Sequence, residues 1–353
     1  MKTSINKRVR KVIEKLIEQP QNKLDYFLNH FSLKKSQVEY ALKKINLILE
    51  DEALPLIEFD SKEIILPEKS RQYFLDAFLD DEEFFSSYEM DADERSKYIF
   101  LMLFYWQDNY LSVYHFLDSL SIGKTSFTNT SHQLEIELEN SNIGIAYTRE
   151  EGYFLTGAEV EIRAKLITLI LEDLVIDGDD FLYRYFLIKE KIGFDDFKKV
   201  SETILKFLEK YAISLVENRL KEFSYIFFLL LPRLRKVCKE IEDKIDQKLL
   251  IGTKEYAFSK EILAHFGIEN QEAIIYISSW LLGSALGDIN DQGPDFQMVY
   301  EMTAHIVQRF EMLSGVRFKD KTPIIQRLYS HFRPVYYRLC FHLPIINNLY
   351  EKI

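Results

Sequence analysis

Cysteine, tryptophan, proline and glycine are all scarce: two, two, eight and twelve among 353 residues. Cys238 and Cys340 stand far apart with no paired spacing. That excludes a disulfide-stapled scaffold and suits a reducing cytoplasm. With glycine and proline rare and Phe, Tyr, Leu, Ile, Lys and Glu abundant, a turn-rich sheet protein is disfavoured and a mainly α chain is expected. Long apolar runs are missing too. Residues 225–232 and 274–282 are the strongest candidates, and both are far too short to span a bilayer. The basic N-terminus lacks the apolar stretch of a signal peptide. His30, His115, His132, His265, His305 and His342 show no metal-ligand spacing, and Cys340 and His342 have no companions, so no metal is expected. No serine, cysteine or carboxylate constellation points to catalysis, and neither an enzyme nor a cofactor is expected. The run Ile122-Gly123-Lys124-Thr125-Ser126 resembles the end of a phosphate-binding loop. Asp118 stands where that loop needs its first glycine, and a helix precedes it where a strand is required.

Positive charge is in deficit overall, with a net charge of −11. The deficit is uneven. Residues 1–50 hold eleven lysines and arginines against five acids, a net +6, which leaves −17 for the remainder. A basic head on an acidic body is what a protein shows when only its head meets phosphate. A solvated basic helix face accounts for the same asymmetry equally well.

Along the chain, residues 1–66 read as a first winged helix-turn-helix. An amphipathic helix over 5–17 carries Ile5, Val9, Val12, Ile13, Leu16 and Ile17, and Pro20 ends it. A short helix over 24–31 follows, Ser32 is placed to cap the next, and 34–49 is the candidate recognition helix. Its stripe of Val38, Leu42, Ile45 and Leu49 leaves Lys34, Lys35, Gln37, Lys43 and Lys44 for a groove. Residues 54–59 and 63–66 read as the wing. Residues 67–94 are a connector, with an aromatic-rich helix and the acidic run Asp80-Asp81-Glu82-Glu83.

Residues 95–165 read as a second winged helix-turn-helix: helices, a turn at Ser121-Ile122-Gly123, a polar-faced helix over 124–140, then a hairpin of 143–147 and 152–155. The polar-faced helix offers Lys124, Thr125, Ser126, Thr128, Asn129, Ser131, His132 and Gln133 as groove contacts, but Lys124 is its only base and Glu135, Glu137 and Glu139 follow. The first head is therefore expected to supply more of the affinity. Beyond it, 166–287 and 288–353 read as two helical groups separated at the glycine-bearing loop 287–294.

The segment Gly152-Tyr153-Phe154-Leu155-Thr156-Gly157-Ala158-Glu159, with Arg163 four residues on, resembles the end of the DNA-binding part of bacterial regulators of the BglG, LicR and Mga type. Those regulators carry helical PRD modules controlled by the sugar phosphotransferase system. One departure is Gly123-Lys124, near the point where the family usually opens its recognition helix with Ser-Arg. The family's phosphoacceptor pattern, Leu-x-x-His with an Arg seven residues after the His, is matched at Leu328, His331 and Arg338, with Pro334 three after the His. The resemblance implies winged helices followed by PRD-like helical bundles, 166–287 and an incomplete 288–353. It implies a cytoplasmic, DNA-binding transcription activator that assembles as a homodimer or higher oligomer. His331 is the expected regulatory phosphorylation site, Arg338 the compensating charge, and phosphotransferase phosphocarriers the expected donors. In the first module Phe228 and Ser279 occupy the acceptor positions, so no phosphorylation is expected there. The alternative, from another class, is a protein-interaction scaffold whose winged helices no longer bind DNA. An RNA antiterminator is disfavoured, because nothing in residues 1–90 resembles that branch's small β-rich domain.

Overall fold

A computed structural model describes residues 4–31, 33–60, 63–79, 87–176, 178–216, 219–236, 247–290, 293 and 296–344. The protein is mainly helical, with fifteen α-helices and seven short strands among the described residues. These residues form two compact units, and the division does not follow chain order. One gathers residues 1–99, 116–131 and 184–192; the other gathers 100–115, 132–183 and 193–353.

The first unit is built on α1 (Lys7–Glu18), α2 (Leu24–His30) and α3 (Lys35–Asp51). The Asn6 side chain caps α1 by accepting from the Val9 amide at 3.1 Å. Val9, Val12, Ile13 and Leu16 recur at helical spacing and are buried. They face the buried Val38, Ala41, Leu42, Ile45 and Leu49 of α3. Ser32, the expected cap of α3, lies outside the described residues. The observed start is instead braced by Gln37, whose Oε1 accepts from the Lys34 amide at 2.8 Å.

After α1, the three residues of β2 (Gln21–Lys23) pair antiparallel with β4 (Glu63–Ile65), which also pairs with β3 (Glu58–Phe59). The order is β2-β4-β3. Only the β3 and β4 regions were expected from the sequence. Gln21-Asn22-Lys23 is too short and too polar to show a two-residue period. Asn46 of α3 holds the approach to β3, donating to the Ile57 carbonyl at 3.1 Å and accepting from its amide at 2.7 Å.

Helix α4 (Glu68–Leu79) follows, tied back where Arg71 Nε donates to the Ile17 carbonyl at 2.7 Å. The expected acidic run 80–83 lies outside the described residues. Strand β1 (Ile5–Asn6) pairs in parallel with β5 (Tyr88–Glu89). Arg10 is buried in this unit and bonded to Glu14 at 2.8 Å. The buried Tyr88 hydroxyl donates to Glu94, and burial raises the Glu94 carboxyl above its ordinary range.

Helices α5 (Ala92–Tyr105), α6 (Val113–Leu120) and α7 (Lys124–Glu139) come next in the chain, followed by the hairpin of β6 (Gly144–Thr148) and β7 (Gly152–Thr156). Phe116 and Phe127 stack with ring centres 5.1 Å apart. In the second unit, Leu111 forms a single bridge with Gly152, and its carbonyl accepts from the Tyr153 amide at 2.8 Å.

The helical body of the second unit comprises α8 (Glu159–Leu171), α10 (Phe194–Lys210), α11 (Leu220–Leu234), α12 (Lys254–His265), α13 (Gln271–Leu282), α14 (Phe296–Ser314) and α15 (Thr322–Cys340). Helix α9 (Phe181–Lys189) is shared, residues 181–183 belonging to the second unit and 184–189 to the first. Every residue of α13 from Glu272 to Leu282 is buried, as is most of α11. A helix apolar all round belongs in a core. Helix α11 runs through Pro232 and stops at Leu234.

Candidate functional site

The outward surface of α3 carries Lys35, Ser36, Tyr40, Lys43 and Leu47, all exposed, with Lys34 exposed just before it. Two of the expected groove residues are committed elsewhere. Lys44 donates from Nζ to the Ser4 carbonyl at 3.1 Å and to the Ser4 hydroxyl at 3.0 Å, so its ammonium is spent on the N-terminal segment. Gln37 is engaged in bracing the start of α3. Within α3, Lys35, Lys43 and Lys44 are matched one for one by Glu39, Glu50 and Asp51. Much of the +6 of the first fifty residues therefore lies on α1, where Lys7, Arg8 and Lys11 are half-buried. Tyr40, 48% exposed, was missed in the sequence. It lies off the Val38–Leu42–Ile45 stripe, and that position was the available signal.

On α7, Lys124, Thr125, Thr128, Asn129, His132 and Gln133 are exposed and Ser126 is half-buried. Ser131 is not available to a groove, because its hydroxyl is buried with no hydrogen-bond partner among the described residues. The Thr128 hydroxyl donates to the Lys124 carbonyl at 3.0 Å, and Gln133 donates to Glu137 at 3.1 Å. His132 sits 3.7 Å from Glu135. Arg149, at the tip of the hairpin, adds an exposed guanidinium beside the exposed Glu150 and Glu151. Tyr110 and Tyr147 are both exposed. A hydrogen bond to Tyr147 raises the Tyr110 phenol above its ordinary value.

The segment 152–163 has a physical explanation inside the second unit. Gly152 has φ +75°, and a Cβ there would lie 2.5 Å from the Leu111 carbonyl oxygen. Gly157 has φ +131°, and a Cβ there would lie 2.7 Å from the Asn142 carbonyl oxygen. Both positions need glycine for backbone conformation and for close approach. Glu159 and Arg163 enter a buried ionic cluster. Arg163 Nε donates to Glu159 at 2.8 Å and its NH1 donates to Glu272 at 2.6 Å. Arg233 donates to Glu159 at 2.5 Å and to the Phe104 carbonyl at 3.0 Å, with its guanidinium 4.4 Å from the Phe104 ring centre. The side chains of Arg163 and Glu272 have no exposed surface at all. Burial works against the Arg163 cation, but the Glu272 and Glu159 carboxylates outweigh it and hold the cation above its ordinary value. Burial lowers Arg233, with Glu159 opposing the shift and Arg163 adding to it. The four charges sum to zero, which offsets the cost of burying Arg163, Arg233 and Glu272, while Glu159 keeps some exposure.

His331 is exposed on α15. Arg338 does not point a free guanidinium at it: its Nε donates to the Gly283 carbonyl at 2.5 Å. Arg333 turns inward to Glu255 at 2.7 Å, with both residues buried. The exposed Arg327, one turn before His331, shares the helical face of the imidazole and was missed, although its spacing was legible. Phe228 is buried and lines an open cleft of about 410 Å³ with Tyr105, Trp106, Pro232 and Arg235. Ser279 is buried, its hydroxyl bonded to the Tyr276 carbonyl at 2.8 Å. Neither position presents an acceptor imidazole. No group of three or more His, Cys, Asp or Glu side chains among the described residues could hold a metal ion. No described helix is long and apolar enough to cross a membrane. No protein-family model matches the chain, and no curated protein matches it.

Proposed function

We propose that this chain is a cytoplasmic, double-stranded-DNA-binding transcription regulator of the PRD-containing, Mga-like kind, acting as an activator. One observation carries the reading. The order helix, strand, helix, helix, strand, strand occurs with its first strand paired to its last in β2-β4-β3. The same order recurs with the first strand reduced to the bridge of Leu111 to β7, which pairs with β6. This order supports a winged helix-turn-helix, a motif whose second and third helices present a reading face to the major groove. In this reading α3 and α7 are the recognition helices. Lys34, Lys35, Lys43 and Lys124 contact phosphates, and Thr125, Asn129 and His132 reach base edges. The helices after Glu159 form the PRD-like regulatory part, with His331 as its phosphoryl acceptor from a phosphotransferase-system phosphocarrier and Arg327 as the neighbouring positive charge.

The test is fluorescence anisotropy with duplex DNA across a salt series. Wild type binds with a log–log salt slope. Lys34→Ala, Lys35→Ala and Lys43→Ala combined reduce that slope by about 0.9 per lost phosphate contact. An unchanged slope removes α3 from the interface.

A second reading, a protein-interaction scaffold with winged helices that do not touch DNA, is favoured by the charge of α7. That helix carries Lys124 against Glu135, Glu137 and Glu139. It predicts no duplex binding even at low salt.

A further inference from the structure

Nine of the eighteen exposed large hydrophobic residues among those described lie between positions 298 and 339, so this apolar surface is concentrated on the α14–α15 hairpin. Helix α14 buries Val299, Thr303 and Val307. A different face carries Met298, Met302, Ile306, Met312 and Leu313, with Met312 67% and Leu313 72% exposed. A contiguous apolar face of this kind marks an interface.

The arrangement along this face is symmetric about one residue. Glu301 and Arg309 stand four residues to either side of His305, and Met298 and Met312 stand seven to either side. All five are exposed. Glu301 accepts a hydrogen bond from Gln297 of its own helix. Neither Glu301 nor Arg309 has an ion-pair partner among the described residues.

We propose that α14 pairs antiparallel with α14 of a second copy of this chain, about a two-fold axis at His305. In such a pair a residue four before the axis meets the residue four after it on the partner. Glu301 then faces Arg309 of the other copy, and the same contact occurs again on the opposite side of the axis. Met298 meets Met312 twice, and Met302 and Ile306 fill the seam between. A parallel pair would instead set Glu301 against Glu301 and Arg309 against Arg309, which like-charge repulsion disfavours. The inference concerns the oligomer that the proposed regulator forms. It is read in the absence of DNA, so it stands or falls separately from DNA binding.

The experiment is sedimentation equilibrium of the full chain, with circular dichroism to check the fold. Wild type self-associates to a dimer. Glu301→Arg and Arg309→Glu each raise the dimer Kd by about tenfold, and the double reversal returns it to within about threefold of wild type. Met302→Asp weakens association without any charge partner to restore it. A wild type that stays monomeric up to about 100 µM overturns the proposal, because the face then serves another occupant. A dimer whose Kd is not restored by the double reversal overturns it as well, because the pairing is then of another geometry.

Discussion

Replacing Arg163 by Leu tests the ionic cluster most directly. Glu272 lies with no exposed surface, and its bond to Arg163 is 2.6 Å. The substitution removes the cation beside the fully buried Glu272 while Glu159 keeps Arg233, which leaves one uncompensated negative charge at Glu272. Removing one partner of a buried pair costs about 3–5 kcal/mol. At roughly 2–4 °C per kcal/mol for a unit of this size, the midpoint falls by on the order of 10 °C. Glu272→Leu leaves one uncompensated positive charge and costs a similar amount. Arg163→Leu with Glu272→Leu restores neutrality, because Glu159 and Arg233 remain paired at 2.5 Å. That double variant is expected within about 2 kcal/mol of wild type, well short of the sum of the singles.

The assay is thermal and urea unfolding, both followed by tryptophan fluorescence. Both tryptophans, Trp106 and Trp280, belong to the second unit, so the signal reports on the unit that contains the cluster. A pH series adds a sign. In Arg163→Leu the stranded carboxylate has its folded pKa raised, so its penalty is full at neutral pH and shrinks as pH falls. Additive costs in the double variant, or a single-variant cost under about 1 kcal/mol, would refute the reasoning.

Gly152→Ala places a methyl against the Leu111 backbone at 2.5 Å in a left-handed conformation. It is expected to cost at least about 1–2 kcal/mol, whereas Gly123→Ala, with nothing within 4 Å of its Cβ, is expected to be near neutral in the same urea assay. Glu94 has its carboxyl raised by burial, so it contributes stability below the ordinary carboxylate value of 4.5 that is lost as pH rises through its folded pKa. The stability difference between Glu94→Gln and wild type should therefore shrink as pH falls from neutral, and a difference constant with pH contradicts the assignment. Incubation with the phosphorylated general phosphocarrier protein of a phosphotransferase system should label the chain at His331. Label that persists in His331→Ala places the acceptor elsewhere, and Arg327→Ala should lower the labelling rate where Arg338→Ala acts through Gly283 and the fold.

The long amphipathic helices were legible because apolar periodicity reports burial directly. Val9, Val12, Ile13 and Leu16 placed α1, and Val38, Leu42, Ile45 and Leu49 placed α3, within about two residues of the observed ends. Strand β2 was not legible, because only Asn22 of its three residues turns inward. At the candidate site, composition identified which helices carry lysine and amide groups. It could not say which were free, since Lys44 is consumed by Ser4, forty residues away in the chain, and Arg338 by Gly283, fifty-five away. Such claims on a side chain exist only once distant backbone is brought alongside. The same holds for Glu159 and Arg163. Their place in the sequence shows neither partner that they meet, Glu272 for Arg163 and Arg233 for Glu159.

The pairing of β1 with β5 sets a schedule for synthesis. Ile5 finds its neighbour Tyr88 only after eighty-odd further residues have left the ribosome. At roughly 5–20 residues per second that is a wait of some seconds. During it α1 can meet α3, while the segment before α1 has no strand to lie against. Closure of so long a loop is entropically costly and comes after the local helices. A nascent chain stalled before residue 88 would thus hold its helices with Ile5 and Asn6 still open to proteases, whereas one extended beyond residue 94 would have them paired.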